Sequence, residues 1–267
     1  MRLERTGASP ETFVERATLG GKKSSPRRRR ITTLCRSLAA GAGFGTLERR
    51  VMLLVGSGNQ HKLEEIAAIL GGLATRVVGI DVLGAGPDVE EDGTTFAANA
   101  EIKACEFARR ALALPDGERP RWTIADDSGL CVDALGGAPG VRSARYGGPG
   151  ATYDENNRKL LGELEHVPQG ERGARFVCSI CCVAAPASRG ERPEVLFRSE
   201  GVCEGYIALA PAGAGGFGYD PIFVEATSGR TFAELPAGRK NEISHRARAL
   251  CDLRAKLADL VAAERSG

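Results

Sequence analysis

The sequence lacks several features that would assign it to a common functional class. No run of about 18 or more apolar residues is present, so none of its 267 residues form a predicted membrane-spanning helix. Its three His residues form no cluster, and its eight Cys residues include no second pair at metal-ligand spacing. These absences exclude a membrane-spanning helix and a zinc module of the usual spacing.

The cysteines are concentrated in one apolar stretch. Cys178, Cys181 and Cys182 lie in "ARFVCSICCVAA", which has the length and composition of a buried strand. We therefore interpret them as core thiols in a reducing compartment, and we expect the protein to be cytoplasmic.

Charge is distributed unevenly along the chain. Residues 1–50 carry twelve Lys and Arg against four Glu, whereas the remainder carries 24 basic against 30 acidic residues. The first segment has no sustained periodicity and contains "KKSSPRRRR", so we expect residues 1–50 to be a largely disordered basic extension of a domain spanning 51–267. Three interpretations of the extension stay open: a physiological start at Met52, an export signal, and a nucleic-acid-binding tail. The last is weakened because no aromatic residues are interleaved with the arginines.

From Val51 onward, strand and helix patterns alternate, which indicates an α/β domain. Strands are predicted at "VMLLVG" and "TRVVGI", with a helix at "HKLEEIAAIL" stopped by Gly71 and Gly72. A long helix is predicted from about Thr95 to Leu114, and another over 152–165. Two short strands, "WTIAD" and "LCVD", are expected on either side of "DSG".

The second half of the chain favours antiparallel pairing. "RFVCSICCVAA", "EVLFRSEGVCEGYIA" and "DPIFV" are predicted strands separated by turns, so the sheet is expected to be mixed. Apolar residues at positions 243, 247, 250, 253, 257 and 260 predict a final helix from about Ser244 to Ala263.

The first strand-to-helix turn has the character of a phosphate site. In "VGSGNQHKLEEI", backbone N–H groups at a helix start favour an anion, and Lys62 follows within the first turn. The turn matches neither the P-loop spacing nor the G-x-G-x-x-G fingerprint. A glycine-containing strand-to-helix turn with a surface lysine is also a common structural feature, so this turn alone is weak evidence for phosphate binding.

Acidic residues occur in two further segments. Glu90, Glu91 and Asp92 precede the long helix, on which Asn99 and Lys103 share one face. Asp126 and Asp127 end the predicted strand "WTIAD". With a loop glutamate, an aspartate here is suited to bind Mg²⁺, which takes a few carboxylates together with phosphate oxygens.

Two later segments suit recognition of a base. "GAGGFGYDPIFV" brings an aromatic pair and Asp220 out of a glycine run, which fits stacking on a base. "GRKNEISHRARAL" places Lys240, His245 and Arg246 at a helix start, where their donors suit a purine O6 acceptor. Taken singly, each segment also fits a buried ring or a helix cap.

Together these motifs resemble the inosine/xanthosine triphosphate pyrophosphatase family. "SGNQHK", "EEDGTTFAANAEIKA", "ADDSGLCVDALGGAPGVRSARY", "GGFGYDPIF" and "KNEISHR" occur in the family's order, from Met52 to about residue 260. The resemblance implies an elongated mixed β-sheet with flanking helices and two lobes around a central nucleotide cleft. It also implies hydrolysis of ITP, dITP and XTP to a nucleoside monophosphate and pyrophosphate, with Mg²⁺ as cofactor, usually by a homodimer.

The resemblance also implies residue roles. Glu90 and Asp127 are the expected Mg²⁺ ligands, and Asp127 is the expected proton acceptor. The expected substrate contacts are Ser57, Gly58, Asn59, Gln60, His61, Lys62, Ser128, Phe217, Gly218, Tyr219, Asp220, Lys240, His245 and Arg246. His61 departs from the small residues frequent at its position. Further contributions by Asp126, Glu91 or Lys103 stay open.

Two other functions are also weighed. One is a related pyrophosphatase that prefers modified pyrimidines, and the other is a non-catalytic nucleotide-binding module. Nucleic acid and membranes are not expected partners.

Overall fold

The computed structural model describes residues 51–70, 73, 75–86 and 88–266. The predictions for residues 1–50 and for the helix stop at Gly71 and Gly72 lie outside the described residues. None of the described helices has the length and apolar character needed to cross a bilayer. The strands are β1 (Val51–Val55), β2 (Thr75–Gly79), β3 (Trp122–Val132), β4 (Gly173–Ala184), β5 (Val195–Ile207) and β6 (Phe223–Glu225). The helices are α1 (Gln60–Leu70), α2 (Phe96–Arg110), α3 (Tyr153–Glu163), α4 (Ala237–Ile243) and α5 (His245–Ser266).

The six strands form one mixed sheet in the order β2-β1-β3-β4-β5-β6. β1 runs parallel to both β2 and β3, since each connection carries a helix across a sheet face. β3, β4, β5 and β6 pair antiparallel in sequence order. The expected mixed sheet with flanking helices is confirmed.

β3 differs from the expected pair of short strands. It is one strand of 11 residues, and its pairing with β4 continues through Asp126↔Ile180, Asp127↔Ser179 and Ser128↔Cys178. The polar side chains do not interrupt it, because the backbone pairs with a buried neighbour and the carboxylates find partners of their own. The two aspartates therefore stand in the middle of a strand and not at its end.

Three other boundaries also differ from the sequence pattern. α2 ends at Arg110 and continues as a 3-10 turn over Ala111–Ala113, which is shorter than the expected helix. In "DPIFV", only the end belongs to a strand, which is β6. A separate helix, α4, precedes α5, because Ser244 between them has an extended backbone with φ −64° and ψ 157°.

The two largest hydrophobic cores share the long central strands. The first packs β1, α1 and α5 against one half of the sheet and includes Leu53, Ile66 and Ile124. The second packs α3 and the segment around Phe223 against the other half and includes Leu130. Along β3, the stretch from Asp126 to Ser128 separates the two cores, so polar groups lie where the two apolar regions meet.

The thiols of β4 lie in the core, as expected. Cys178, Cys181 and Cys182 are buried and free. Burial raises the pKa of Cys178 and of Cys181 to about 12. These thiols therefore stay protonated at neutral pH and behave as small apolar side chains.

The contact between α5 and β5 requires a glycine at position 201. A Cβ there would lie 2.1 Å from the His245 carbonyl oxygen and 2.5 Å from the Ala249 nitrogen. We predict that Gly201→Ala lowers the free energy of unfolding by about 3 kcal/mol, because backbone must move to admit the methyl group. Urea unfolding measures the change.

The matched control is Gly162→Ala in the exposed surface of α3, where an added Cβ meets no atom within 4 Å. It is expected to raise stability by about 0.5 kcal/mol, since alanine favours a helix over glycine. Equal effects of the two substitutions would contradict the close packing of α5 on β5.

Candidate active site

A cavity of about 1460 Å³ lies beyond the end of β1, where the two cores meet. Its walls come from the β1–α1 turn, the loop before α2, the middle of β3, the α4–α5 junction and the Phe217–Asp220 segment. β1 pairs with β3 only as far as Ile124, and the amide of Gly56 donates to the Ile124 carbonyl at 2.7 Å. Beyond that point β1 no longer covers β3, so residues of both faces of β3 reach the cavity. Ligand sites in α/β sheets commonly lie at such carboxyl ends of strands.

The turn after β1 lines one end of the cavity through Ser57, Gly58, Asn59 and Lys62. The Lys62 amide donates to Asn59 Oδ1 at 3.3 Å, so Asn59 caps the first turn of α1. Gln60 is exposed, and its side-chain amide donates to Glu64 at 3.2 Å, which directs it away from the cavity. The side chain of His61 lies outside the described part of the structure.

Asp126 is buried among basic groups. Its Oδ2 lies 2.8 Å from Lys62 Nζ and 3.6 Å from Arg246 Nε, and it accepts a hydrogen bond from Ser128 Oγ at 3.0 Å. Arg246 also pairs with Glu65. Burial alone would raise the pKa of Asp126, but Lys62 and Arg246 hold it well below its usual range. The carboxylate therefore stays ionised and fixes the two cations at the cavity wall.

Asp127 points to α2. Its Oδ2 accepts from Asn99 at 3.1 Å, and its Oδ1 lies 3.5 Å from Lys103 Nζ. Lys103 also donates to Glu91 at 2.9 Å, so one ammonium group bridges carboxylates of two segments. Burial raises the pKa of Asp127, and the nearby Lys103 only partly opposes that shift. Asn99 and Lys103 share one helix face towards the acids, as their spacing predicts.

The acidic wall has the donors that a hard cation prefers. Glu90, Glu91 and Asp127 all line the cavity. Within the described residues, no group of three or more His, Cys, Asp or Glu side chains is arranged to hold a metal ion by itself. A cation bound to one or two of these carboxylates would need waters or phosphate oxygens to complete its shell, and Mg²⁺ favours such a shell. The residues present therefore fit Mg²⁺ bound together with a phosphate ligand.

The opposite end of the cavity carries Phe217, Asp220 and Lys240. Lys240 Nζ donates to Asp220 at 2.6 Å and lies 4.7 Å from the centre of the Phe217 ring. Lys240 belongs to α4 and not to the start of α5, so a separate helix presents it. The Tyr219 ring is buried in the second core, and its hydroxyl donates to the Ser143 carbonyl at 2.9 Å. Of the expected aromatic pair, only Phe217 is therefore half-exposed to the cavity.

His245 lies between the two ends. Its ring stacks on Phe176, with centroids 4.7 Å apart and planes 12° apart. Burial, with the charges of Arg246 and Lys240, places the pKa of His245 well below the ordinary value. Its buried Nδ1 has no hydrogen-bond partner within the described structure. The imidazole is therefore neutral and retains polar capacity toward a ligand.

The cavity gathers most of the residues singled out from the sequence. Those on its walls are Ser57, Gly58, Asn59, Lys62, Glu90, Asp127, Ser128, Phe217, Gly218, Tyr219, Asp220, Lys240, His245 and Arg246. Gln60 is not among them. Sequence reasoning missed Tyr153, which lines the same cavity from the start of α3. The available signal was an aromatic residue directly after the cap Thr152 in a polar segment.

Comparison with known proteins finds a matching family model and many similar curated proteins. The model of the Ham1 family matches residues 53–256. A dITP/XTP pyrophosphatase of Geobacter sulfurreducens is 46% identical over 202 residues, covering 76% of this chain and 94% of that protein. One from Geobacillus kaustophilus is 47% identical over 201 residues, covering 75% and 91% respectively.

Solved structures give the same result for the fold. A HAM1 protein from Coxiella burnetii superposes with a TM-score of 0.68 at 39% identity, covering 78% of this chain and 99% of that chain. A nucleoside-triphosphatase / dITP/XTP pyrophosphatase from Mycobacterium abscessus gives 0.59 at 39% identity, covering 76% and 98%.

The neutral His245 predicts a specific pH dependence of stability. The unfolded chain takes up a proton at an ordinary histidine pKa of about 6.5, whereas the folded chain does not. Stability from this group is therefore lost as the pH falls below about 6.5 and is constant above it. We predict that wild-type protein loses about 1 kcal/mol more between pH 7 and 5.5 than His245→Phe. Urea unfolding at both pH values measures this difference, and equal losses in the two proteins would contradict it.

Proposed function

This chain belongs to the Ham1 family, and we propose that it hydrolyses deaminated purine nucleoside triphosphates (ITP, dITP and XTP) to the monophosphate and pyrophosphate. The family resemblance drawn from the sequence is confirmed by the family model and by curated relatives that are named dITP/XTP pyrophosphatases. The observation that carries the proposal is a single cavity with two chemically different ends. Carboxylates and lysines line one end, and an aromatic ring with buried hydrogen-bond donors lines the other. Such activity would remove deaminated nucleotides before their incorporation into DNA and RNA.

The β1–α1 turn is suited to hold the triphosphate. The N-terminus of the 11-residue helix α1 lies at the cavity wall, and a helix N-terminus favours an anion. Lys62 is fixed by Asp126, so its ammonium is positioned before substrate arrives. Preorganised charge of this kind stabilises a developing phosphate charge more than mobile charge does. We assign Ser57, Gly58, Asn59 and Lys62 to phosphate binding; Gln60 and His61 are assigned only through their backbone amides.

Glu90 and Asp127 are the residues we assign to Mg²⁺. When bound, the ion would neutralise phosphate oxygens and polarise the bond to be broken. Asp127 is also suited to accept a proton from the attacking water, because burial raises the pKa of its carboxyl group. The amide of Asn99 and the ammonium of Lys103 fix the two oxygens of Asp127. Each oxygen therefore has a defined direction.

The other end of the cavity is suited to a 6-keto purine. Deamination replaces the 6-amino donor of a purine by a keto acceptor. Lys240, His245 and Arg246 are buried residues with donor groups at the cavity wall, and Ser128 lines the cavity beside them. Adenine would leave such donors unpaired, at a cost of about 1 to 3 kcal/mol per group. Phe217 supplies an apolar surface for the ring, and Asp220 fixes Lys240 beside it.

The proposal also includes the oligomeric state and the cellular compartment of the enzyme. The family resemblance implies a homodimer, and sedimentation of the purified protein is the direct measure. All seven cysteines in the described part of the chain carry free thiols. Free thiols suit a reducing compartment, and we assign the protein to the cytoplasm.

We predict that the purified protein releases pyrophosphate with Mg²⁺ present, and that ITP, dITP and XTP are cleaved at least about tenfold faster than ATP at equal, subsaturating concentration. Pyrophosphate and orthophosphate are measured separately, and GTP, CTP and UTP complete the panel. Orthophosphate as the direct product would contradict cleavage between the α- and β-phosphates. Preference for a pyrimidine would favour a related pyrophosphatase, and absence of all turnover would favour a binding module.

We also predict that Asp127→Asn lowers kcat for ITP by about 10³-fold while unfolding stays cooperative, since the proton acceptor is lost but the amide keeps the shape. The matched control is Asp116→Asn, at an aspartate whose side chain is 89% exposed and lies away from the cavity. It is expected to keep wild-type kcat. Substantial turnover by Asp127→Asn would contradict the assigned role.

A further inference from the structure

The start of α3 presents an aromatic side chain to the cavity. Only three large apolar side chains in the described part of the chain are exposed, namely Val82, Tyr153 and Leu209. Tyr153 is 51% exposed and is the one of the three that lines the cavity.

Tyr153 stands on a rigid support. The hydroxyl of Thr152 accepts from the Glu155 amide at 3.2 Å, and Glu155 accepts from the Thr152 amide at 2.7 Å, which closes a capping box. The side-chain amide of Asn157 donates to the Gly218 carbonyl at 3.0 Å. Asn157 lies just beyond the first turn of α3, and it thereby joins this helix to the loop that carries Phe217. The position of Tyr153 relative to that loop is fixed before any ligand binds.

The rings of Tyr153 and Phe217 lie close together. Their centroids are 6.3 Å apart, with the planes at 42°. Aromatic rings at this separation contact each other directly, so a base does not fit between them. Lys240 Nζ also lies 4.7 Å from the centre of the Phe217 ring, which limits the surface that Phe217 offers. A planar ligand in this corner would therefore need apolar surface from Tyr153 as well.

We propose that Tyr153 contacts the purine ring of the substrate and, with Phe217, forms the apolar surface of the base subsite. This inference rests on the proposed function, since it assigns the ligand of that end of the cavity. A contact to the base that is equal in the bound substrate and in the transition state changes KM and leaves kcat unchanged.

The test compares Tyr153→Ala and Tyr153→Phe in the full-length protein, with Leu209→Ala as the matched control. Leu209 is 65% exposed and is not on the cavity wall. Steady-state pyrophosphate release from ITP gives KM and kcat, and inhibition by pyrophosphate reports on the phosphate end alone. For Tyr153→Ala, KM is expected to rise about five- to twentyfold with kcat within about twofold, as for loss of one base-stacking ring. Tyr153→Phe and Leu209→Ala are expected to keep the wild-type KM within about twofold.

Inhibition by pyrophosphate separates the base from the phosphate end. Its inhibition constant is expected to be the same for Tyr153→Ala and wild type. An unchanged KM in Tyr153→Ala, a fall in kcat at constant KM, or a parallel change in pyrophosphate inhibition would each overturn the inference.

Calorimetric titration with IMP tests the contact without turnover. Tyr153→Ala is expected to bind IMP about five- to twentyfold more weakly than wild type. If wild type binds IMP but releases no pyrophosphate from ITP, the proposed function fails and the Tyr153 contact is still decided by this titration. If wild type neither binds IMP nor cleaves ITP, both are overturned.

Discussion

The ion pairs of Asp126 are the interaction on which the cavity depends. One buried carboxylate on β3 contacts Lys62 of α1 and Arg246 of α5, so it joins three elements that are distant in sequence. Burying these charges is unfavourable unless they stay paired, and loss of one partner from such a cluster costs about 3 to 5 kcal/mol. The β1–α1 turn, which we propose binds phosphate, and the helix that carries His245 are thus both fixed by Asp126.

The open edge of β3 explains why Asp126 lies beside a cavity. β1 stops at Val55, and its last bond to β3 is made by Gly56. A Cβ on Gly56 would lie 2.6 Å from Phe107, so only glycine lets the chain turn here against α2. Further along β3, the hydroxyl of Ser143 accepts from the Leu130 amide at 2.9 Å and covers the edge again. The polar stretch from Asp126 to Ser128 is therefore left open to the cavity between two covered segments.

The sequence predicts much of this arrangement because local patterns are strong. Alternation of buried strands and amphipathic helices indicates the mixed sheet, and the i, i+4 spacing of Asn99 and Lys103 places both on the face that meets Asp127. The continuity of β3 was not predictable in the same way. Polar "DDSG" has the composition of a turn, and only pairing with β4 and the distant cations keeps it extended.

The exposure of individual side chains could not be predicted from sequence patterns either. Tyr219 and Phe217 are neighbours in one motif, yet the Tyr219 ring enters the second core while Phe217 stays at the cavity. Tyr153 reaches the same cavity from a helix start 64 positions earlier than Phe217. Such proximity arises from the bond between Asn157 and Gly218, a long-range contact without a local signature.

The two adjacent aspartates acquire opposite properties from strand geometry alone. Successive side chains of a strand point to opposite faces of the sheet, so Asp126 faces α1 and α5 while Asp127 faces α2. On the first face, two cations more than offset burial, and the pKa of Asp126 falls. On the second face, one shared ammonium does not offset burial, and the pKa of Asp127 rises. A permanently ionised anchor and a carboxylate suited to take a proton can therefore occupy consecutive positions, because the sheet separates their surroundings.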